Sequence, residues 1–289
     1  MPRLNQYLLL DSSQPENRYG AFAEQILLAE GLMGFTCVDL AEHPLPEFGS
    51  DDLVLLTRCS VRVAQAEHLL NAVRGGAGLV ALLPQQSLLE RLGFSAPLTV
   101  IHPARVQPRD GFSGANLSLQ THLPAPRCAV PEGAYWETVA DAVEAEAQEP
   151  AGPAILQAKL GKGAVALFLY DLPEAVARIR FGNPDLGGFN TSGTWPWPHA
   201  MDLFHNRVDP ALAHVPQADI HGQLLARVLT DVASHPLPRL WYYEDVAHRT
   251  AGVFQSDGDN SEPKEFHRLA RALEERNGTG TFYLMKDTK

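Results

Sequence analysis

Hydrophobic residues in the first part of the chain alternate between short continuous runs and stretches with helical spacing. Continuous apolar runs without polar alternation are typical of strands that are covered on both faces. Between these runs, apolar residues recur every three or four positions, as at Phe22 and Ile26, which predicts amphipathic helices. The pattern predicts strands over residues 7–10, 35–39, 52–57 and 78–83 and helices over residues 19–30 and 64–73.

Strands that alternate with helices indicate an α/β fold. The order of these elements predicts a flavodoxin-like doubly wound parallel sheet. Further along, two apolar runs over residues 154–158 and 163–170 flank a Gly-Lys-Gly turn and predict a hairpin that returns to the main sheet. Lys162 in that turn is interpreted as a solvated lysine at the hairpin tip rather than a phosphate contact, because the P-loop pattern is absent. Helices are expected over residues 174–180 and 217–233.

The last forty or so residues predict a separate strand, helix and strand. An apolar run at residues 252–254 stops at Asp257 and Asp259, and Ser261 can cap the helix that follows. That helix ends at Asn277-Gly278, and residues 279–285 form a β-branched and apolar run. The segment therefore predicts a βαβ unit with parallel strands.

Asp257 and Asp259 are the candidate site of this second region. Two carboxylates with one glycine between them repel each other unless a cation lies nearby, and oxygen-rich metal sites are built where a strand ends. The alternative is an acidic loop that caps the next helix, because Asp-Gly-Asp-Asn also has the composition of a turn. From these residues alone both interpretations stay open.

The stretch Val253-Phe-Gln-Ser-Asp-Gly-Asp259, its helix and Gly280-Thr-Phe-Tyr-Leu284 resemble the start of a polysaccharide deacetylase (NodB-type) domain. The resemblance implies that Asp257 is the catalytic general base and that Asp259 binds a divalent metal, zinc or a similar ion such as nickel, cobalt or iron. It also implies that the βαβ unit is the first portion of a (β/α) barrel and that the substrate is a carbohydrate or a small amide. In that family the two aspartates are usually adjacent, whereas Gly258 separates them here.

The family's second motif supplies two metal-binding histidines four residues apart. None of the 11 histidines of this sequence forms such a pair. A (β/α) barrel needs on the order of 200 residues or more. We therefore expect the sequence to be a truncated portion of a longer deacetylase and to be inactive by itself.

The first region resembles the class I glutamine amidotransferase-like superfamily, notably its ThuA-type members. The resemblance lies in Asp51-Asp-Leu-Val-Leu-Leu-Thr57, the helix after it, Gly75-Gly76 and Leu79-Val-Ala-Leu82. Active members carry a cysteine in a tight turn directly after a strand, where this sequence has Pro84-Gln85-Gln86. Cys59 follows the preceding strand, and we interpret it as a small, partly buried residue rather than a catalytic thiol.

These patterns suggest three parts: an amidotransferase-like domain over residues 1–235, a linker over residues 236–248 and the truncated barrel over residues 249–289. A loop rich in glycine, proline and aromatic residues carries Trp195 and Trp197. These two rings can stack on a sugar or form the seam between the domains, and the sequence slightly favours the seam.

The net charge, the cysteines and the length of the apolar runs restrict the expected partners and location of the protein. The 289 residues carry a net charge of −11 without any cluster of Lys or Arg, which argues against a nucleic-acid partner. Three widely spaced cysteines give no disulfide framework, and no apolar run is long enough for a signal peptide or a membrane span. A cytoplasmic protein is therefore expected.

The function expected from the deacetylase resemblance is that of the N-terminal portion of a metal-dependent deacetylase that hydrolyses C–N non-peptide bonds. The alternative is a non-catalytic carbohydrate- or protein-binding module.

Overall fold

The computed structural model describes ten stretches of the chain, which form two compact units, Met1–Leu240 and Trp241–Lys289. The described residues are 5–95, 99–102, 104–109, 117–131, 136–144, 150–191, 196–205, 209–240, 254–257 and 262–283. The helices are α1 (Phe22–Ala29), α2 (Val63–Gly75), α3 (Gln86–Arg91), α4 (Leu172–Phe181), α5 (Gln217–Val232) and α6 (Pro263–Glu274). The strands are β1 (Gln6–Leu10), β2 (Phe35–Asp39), β3 (Leu53–Leu56), β4 (Gly78–Leu82), β5 (Thr99–Ile101), β6 (Ala104–Pro108), β7 (Leu119–Gln120), β8 (Ala125–Arg127), β9 (Glu137–Glu144), β10 (Pro150–Leu160), β11 (Gly163–Phe168), β12 (Gln255–Asp257) and β13 (Thr281–Tyr283).

Within the described part of the first unit, nine strands form one sheet in the order β2-β1-β3-β4-β11-β10-β9-β6-β7. The five strands from β2 to β11 pair in parallel, and the pairs from β11 to β7 are antiparallel. The α/β class is thus confirmed, and the hairpin of β10 and β11 does return to the main sheet. The sheet continues past this hairpin into three further antiparallel strands, β9, β6 and β7, which the sequence pattern did not predict.

Two apolar clusters cover the two faces of the parallel strands. On β1, Leu8 belongs to the cluster that contains residues of α1, α4 and α5, and its neighbour Leu9 belongs to the cluster that contains residues of α2 and α3. Both leucines are fully buried. This arrangement explains why the parallel strands read as continuous apolar runs, because each successive side chain enters a core.

The end of α2 is determined by a glycine. Gly76 ends α2 with φ +135°, and a Cβ at this position would lie 2.7 Å from the carbonyl oxygen of Ser50. Only glycine fits such a position without strain.

None of the described helices is both long and apolar enough to cross a membrane.

The second unit contains the predicted βαβ arrangement. β12 and β13 pair in parallel and α6 lies between them in the sequence. The ring of Phe282 on β13 packs against Phe254 and Phe266, with centroids 6.3 and 5.9 Å away. After α6, Asn277 has a left-handed φ of +53°, and the amide of Gly278 donates to the carbonyl oxygen of Leu273 at 2.8 Å. The predicted strand, helix and strand are therefore confirmed for the described residues of this unit.

Candidate functional site

Asp257 is the last residue of β12, where it is the register partner of Tyr283. Glu262 is the N-cap of α6, and Pro263 is the first residue of that helix. Asp257 thus lies where a parallel strand ends and the chain turns towards a helix, which is where parallel α/β units place their functional side chains. Only the backbone of Asp257 is described, and Asp259 lies outside the described residues.

No metal centre is formed by the part of the chain that the structure describes. Among those residues, no three His, Cys, Asp or Glu side chains are grouped so that they could hold an ion. The Asp257 side chain and Asp259 are not among the groups that this statement covers. The predicted metal site at Asp259 therefore stays a prediction.

Trp197 is the described member of the predicted aromatic pair, and Trp195 lies outside the described residues. The side chain of Trp197 is 58% exposed. Phe189 and Met201, which flank it in the sequence, are also exposed. An exposed indole is compatible with ligand stacking, and the roles of Trp195 and Trp197 stay predictions.

The first unit has a second candidate position for a ligand, at the carboxyl ends of β1 and β3. The chain runs from β1 to β2 on one side and then to β3 on the other, so the strand order reverses between β1 and β3. Ligands of doubly wound sheets bind at such a reversal. In this protein the side chain of Gln14, after β1, is hydrogen-bonded to the backbone of Ser60, after β3. Gln14 Nε2 donates to the carbonyl oxygen of Ser60 at 3.2 Å, and the Ser60 amide donates to Gln14 Oε1 at 2.6 Å. Asp11 holds the same amide group through Oδ2 at 2.6 Å.

Cys59 lies beside this cross-link, in surroundings that disfavour the reactive thiolate. Its side chain is only 1% exposed, whereas we expected it to be partly buried. Burial raises the pKa of the Cys59 thiol to about 12, so the reactive thiolate is scarce. The structure supports the interpretation of Cys59 as a small packing residue.

A buried acid that the sequence analysis did not assign to a site lies just after β11, which is separated from β3 by β4. Asp171 is the N-cap of α4, and its Oδ1 accepts a hydrogen bond from the Glu174 amide at 3.1 Å. Arg58 Nη1 lies 3.7 Å from Asp171 and 3.9 Å from Glu174. Burial raises the pKa of Asp171 to about 6, although Arg58 opposes the shift. The sequence signal was the Asp-Leu-Pro-Glu pattern, which is typical of a helix start.

A second buried polar group joins β11, α5 and β7. The Tyr170 hydroxyl lies 3.0 Å from Nδ1 of His221, and Nε2 of His221 lies 3.0 Å from the carbonyl oxygen of Gln120. Because a carbonyl only accepts, Nε2 carries the proton and Nδ1 accepts from the tyrosine. Burial lowers the pKa of His221 to about 4. The ring is therefore neutral at physiological pH, and we assign it a structural role.

Comparisons with known proteins find similar solved structures only. No family model matches the sequence, and no curated protein matches it. The exo-β-1,4-mannosidase Op5Man5 from Opitutaceae bacterium strain TAV5 is 17% identical with a TM-score of 0.46, over 64% of this chain and 33% of that one. The β-galactosidase from Rahnella sp. R3 is 15% identical with a TM-score of 0.43, over 62% of this chain and 31% of that one. The carbohydrate deacetylase Agd3 is 13% identical with a TM-score of 0.43, over 58% of this chain and 30% of that one. The alignments thus span about a third of each of these proteins.

Proposed function

We propose that this chain carries the first catalytic motif of a metal-dependent deacetylase that acts on a carbohydrate or a small amide and hydrolyses C–N non-peptide bonds. The observation that supports this most is the backbone of the second unit. Asp257 ends one of two parallel strands that are connected through α6, as the resemblance to the NodB-type domain requires. In this proposal Asp257 is the general base and Asp259 is a metal ligand.

The residues present are compatible with part of a metal site. Carboxylate oxygens bind divalent ions, and zinc and similar metals combine them with imidazole nitrogen. A bound divalent ion would supply Lewis acidity at the substrate carbonyl. Asp257 would accept a proton from the attacking water, because a carboxylate within hydrogen-bond reach of that water can act as its base. This sequence has no histidine pair with the spacing of the family's second motif, so the proposal assigns no imidazole ligand among these residues.

The first unit has a separate role in this proposal. The order of its five parallel strands supports a flavodoxin-like, amidotransferase-like domain. The turn after β4 holds Pro84 and Gln85 instead of a nucleophile, and the Cys59 thiol is buried. We therefore assign this unit to scaffolding or binding rather than to amidotransferase chemistry.

The metal site can be tested on the chain itself with Mn²⁺ as a paramagnetic probe. Amide resonances of residues 256–260 should broaden first as Mn²⁺ is added. The broadening should disappear in an Asp257→Asn, Asp259→Asn double variant. It should persist in Asp185→Asn, which removes an exposed carboxylate of the first unit. Equal broadening in the wild type and the double variant would exclude a cation site at these residues.

The activity requires a second measurement. The natural protein should release acetate from N-acetylated oligosaccharides, and Asp257→Asn should reduce the rate by about two to four orders of magnitude, as the loss of a general base does. Asp185→Asn should leave the rate unchanged. An Asp257→Asn variant with full activity would refute the assignment of the base.

The alternative is a binding module without catalysis, and the exposure of Trp197 favours it. Under this alternative the full-length chain binds glycans, and a Trp195→Ala, Trp197→Ala double variant loses the binding. Asp257→Asn then has no effect. This pattern of results separates the two functions.

A further inference from the structure

A groove with a volume of about 660 Å³ opens in the first unit between α5 and the antiparallel part of the sheet. Its sheet wall consists of the start of β9, the end of β6 and Gln157 on β10, and its helix wall includes Leu224, Arg227 and Asp231. This volume lies within the range of small-molecule sites. The described residues that line the groove all belong to the first unit.

The groove exists because the sheet changes from apolar to polar along the face that packs against α5. Ile155 on β10 pairs with Ala140 on β9, and both are fully buried in the core cluster that also contains residues of α5. The next pair on that face is Gln157 with Glu137, both polar. Between these two pairs the register shifts, and Val139 has no register partner on β10, which is a β-bulge. Bulges change the direction of a strand and are frequent beside binding sites.

The bulge also fixes a charged group at the groove. The carbonyl oxygen of Val139 accepts a hydrogen bond from the Arg109 amide at 2.9 Å. The Arg109 guanidinium binds Asp141 through two bonds, Nε to Oδ2 at 2.6 Å and Nη2 to Oδ1 at 2.7 Å. A bidentate pair of this kind holds the guanidinium in one orientation. A ligand therefore meets a preorganised donor, which lowers the entropy cost of binding.

Both guanidinium groups of the groove lie beside a carboxylate. Arg109 and Glu137 lie on the sheet wall, and Arg227 and Asp231 lie on the helix wall. Arg109 pairs with Asp141, and Arg227 Nε lies 3.8 Å from Asp231 Oδ2. These charges are compensated within the protein, and Glu137 adds one further carboxylate. Such a lining favours a ligand without net charge that offers both donors and acceptors. An anion would meet the two carboxylates, and a cation would meet the two guanidinium groups.

Trp136 adds an aromatic surface to these polar groups. The half-buried indole lines the groove and is braced by Phe94, whose ring centroid lies 5.2 Å away in an edge contact. A rigid aromatic ring beside many hydrogen-bonding groups suits a ligand with apolar C–H faces and several hydroxyls. We propose that this groove binds a neutral oligosaccharide, independently of the deacetylase proposed above.

The proposal is tested by calorimetry on the full chain with three probes. These are the neutral tetra-N-acetylchitotetraose and cellotetraose and the anionic tetragalacturonate. At least one neutral probe should bind, and tetragalacturonate should bind about tenfold more weakly or not at all. Gln157→Ala and Arg227→Ala should each weaken neutral binding about fivefold or more, which corresponds to the loss of one hydrogen bond. Trp136→Phe, which keeps a ring against Phe94, should weaken it less than Arg227→Ala.

Arg180→Ala is the matched control, because Arg180 pairs with Asp219 in an exposed ion pair and does not line the groove. This variant should bind as the wild type does. Three results overturn the proposal: no binding of either neutral probe, a preference for tetragalacturonate, or equal loss in Arg180→Ala and Arg227→Ala. Cellotetraose carries no N-acetyl group for a deacetylase to remove, so its binding tests the groove separately from the deacetylase proposal.

Discussion

The hydroxyl of Tyr170 and Nδ1 of His221 lie 3.0 Å apart in a fully buried hydrogen bond. Tyr170 follows β11 at the centre of the sheet, and His221 lies on α5, which covers one face. Because Nε2 of the same ring donates to the carbonyl oxygen of Gln120, one imidazole links the parallel half of the sheet to its antiparallel half. We infer that this pair fixes the position of α5 and thereby shapes the polar groove between α5 and the sheet.

Replacing the tyrosine tests this link. Tyr170→Phe keeps the ring but leaves Nδ1 of His221 buried without a donor, and such a loss costs about 1–3 kcal/mol of the free energy of unfolding. Urea denaturation monitored by circular dichroism measures the change. Tyr283→Phe in the second unit is a chemically identical replacement and should not alter the stability of the first unit. Equal stability of Tyr170→Phe and the wild type would show that the bond contributes nothing.

The same histidine predicts a dependence of stability on pH. Burial lowers the pKa of His221 to about 4 in the folded protein, below its ordinary value of 6.5. Between these values the unfolded state binds more protons, so the contribution of His221 to stability is present above pH 6.5 and is lost as the pH falls towards 4. The full loss is on the order of 3 kcal/mol. His221→Gln should flatten the pH dependence of the unfolding free energy between pH 6.5 and 4, and an unchanged slope would contradict the assignment.

Asp171 shows the opposite dependence. Burial raises its pKa to about 6 in the folded protein, above the ordinary value of 3.8. The folded state therefore binds more protons between these values, and stability decreases as the pH rises from 4 to 6. Asp171→Asn keeps a side-chain oxygen at the N-cap and removes the buried charge, so it should raise stability at pH 8 on the order of 1 kcal/mol. The gain should vanish near pH 4, which unfolding curves at both pH values can check. Destabilisation at pH 8 would mean that the pairing with Arg58 outweighs burial.

The sequence predicts the parallel half of the sheet, the hairpin of β10 and β11 and the βαβ unit, but not the other antiparallel strands. Strands such as β1 and β4 are continuous apolar runs because both their faces are buried. The other antiparallel strands lack this signal, and β7 has only two residues. These strands are stabilised by neighbours that lie far away in the sequence, and a local pattern cannot show such pairing.

Site residues, too, are predictable only where a local sequence pattern determines their position. The position of Asp257 at a strand end follows from a local run of apolar residues that stops. The Gln14–Ser60 cross-link and the Arg58–Asp171 pair join separate loops at the carboxyl ends of the strands. They depend on the order of the strands in the sheet, which the sequence alone does not specify.

Two adjacent glycines at the end of α2 give a matched pair of substitutions. Gly76 has φ +135° and a new Cβ would lie 2.7 Å from the carbonyl oxygen of Ser50, whereas a Cβ at Gly75 would meet no atom within 4 Å. Gly76→Ala should therefore lower the free energy of unfolding by about 1–3 kcal/mol. Gly75→Ala should raise it by about 0.5–1 kcal/mol, because Gly75 is the last helical residue. Thermal unfolding should give opposite shifts, and shifts of the same sign would contradict the described turn.

The end of the first unit is held by an ion pair that can be broken selectively. Arg239 donates from Nε to the carbonyl oxygen of Glu30 at 2.8 Å and from Nη2 to the Glu30 carboxylate at 2.5 Å. The Leu240 amide donates to the carbonyl oxygen of Gly31 at 2.8 Å. Burial raises the pKa of Glu30, and Arg239 lowers it, so Arg239→Ala leaves a largely buried carboxylate without this cation.

We expect Arg239→Ala to loosen residues 239 and 240 before the rest of the unit. Hydrogen exchange of the Leu240 amide should become faster, because the opening of this local contact then costs less free energy. The Leu9 amide in the central strand should keep its protection. Glu30→Gln, which retains a hydrogen-bond acceptor for Arg239, should change the exchange of Leu240 less than Arg239→Ala does. Unchanged exchange at Leu240 in Arg239→Ala would show that the backbone bond to Gly31 alone holds the segment.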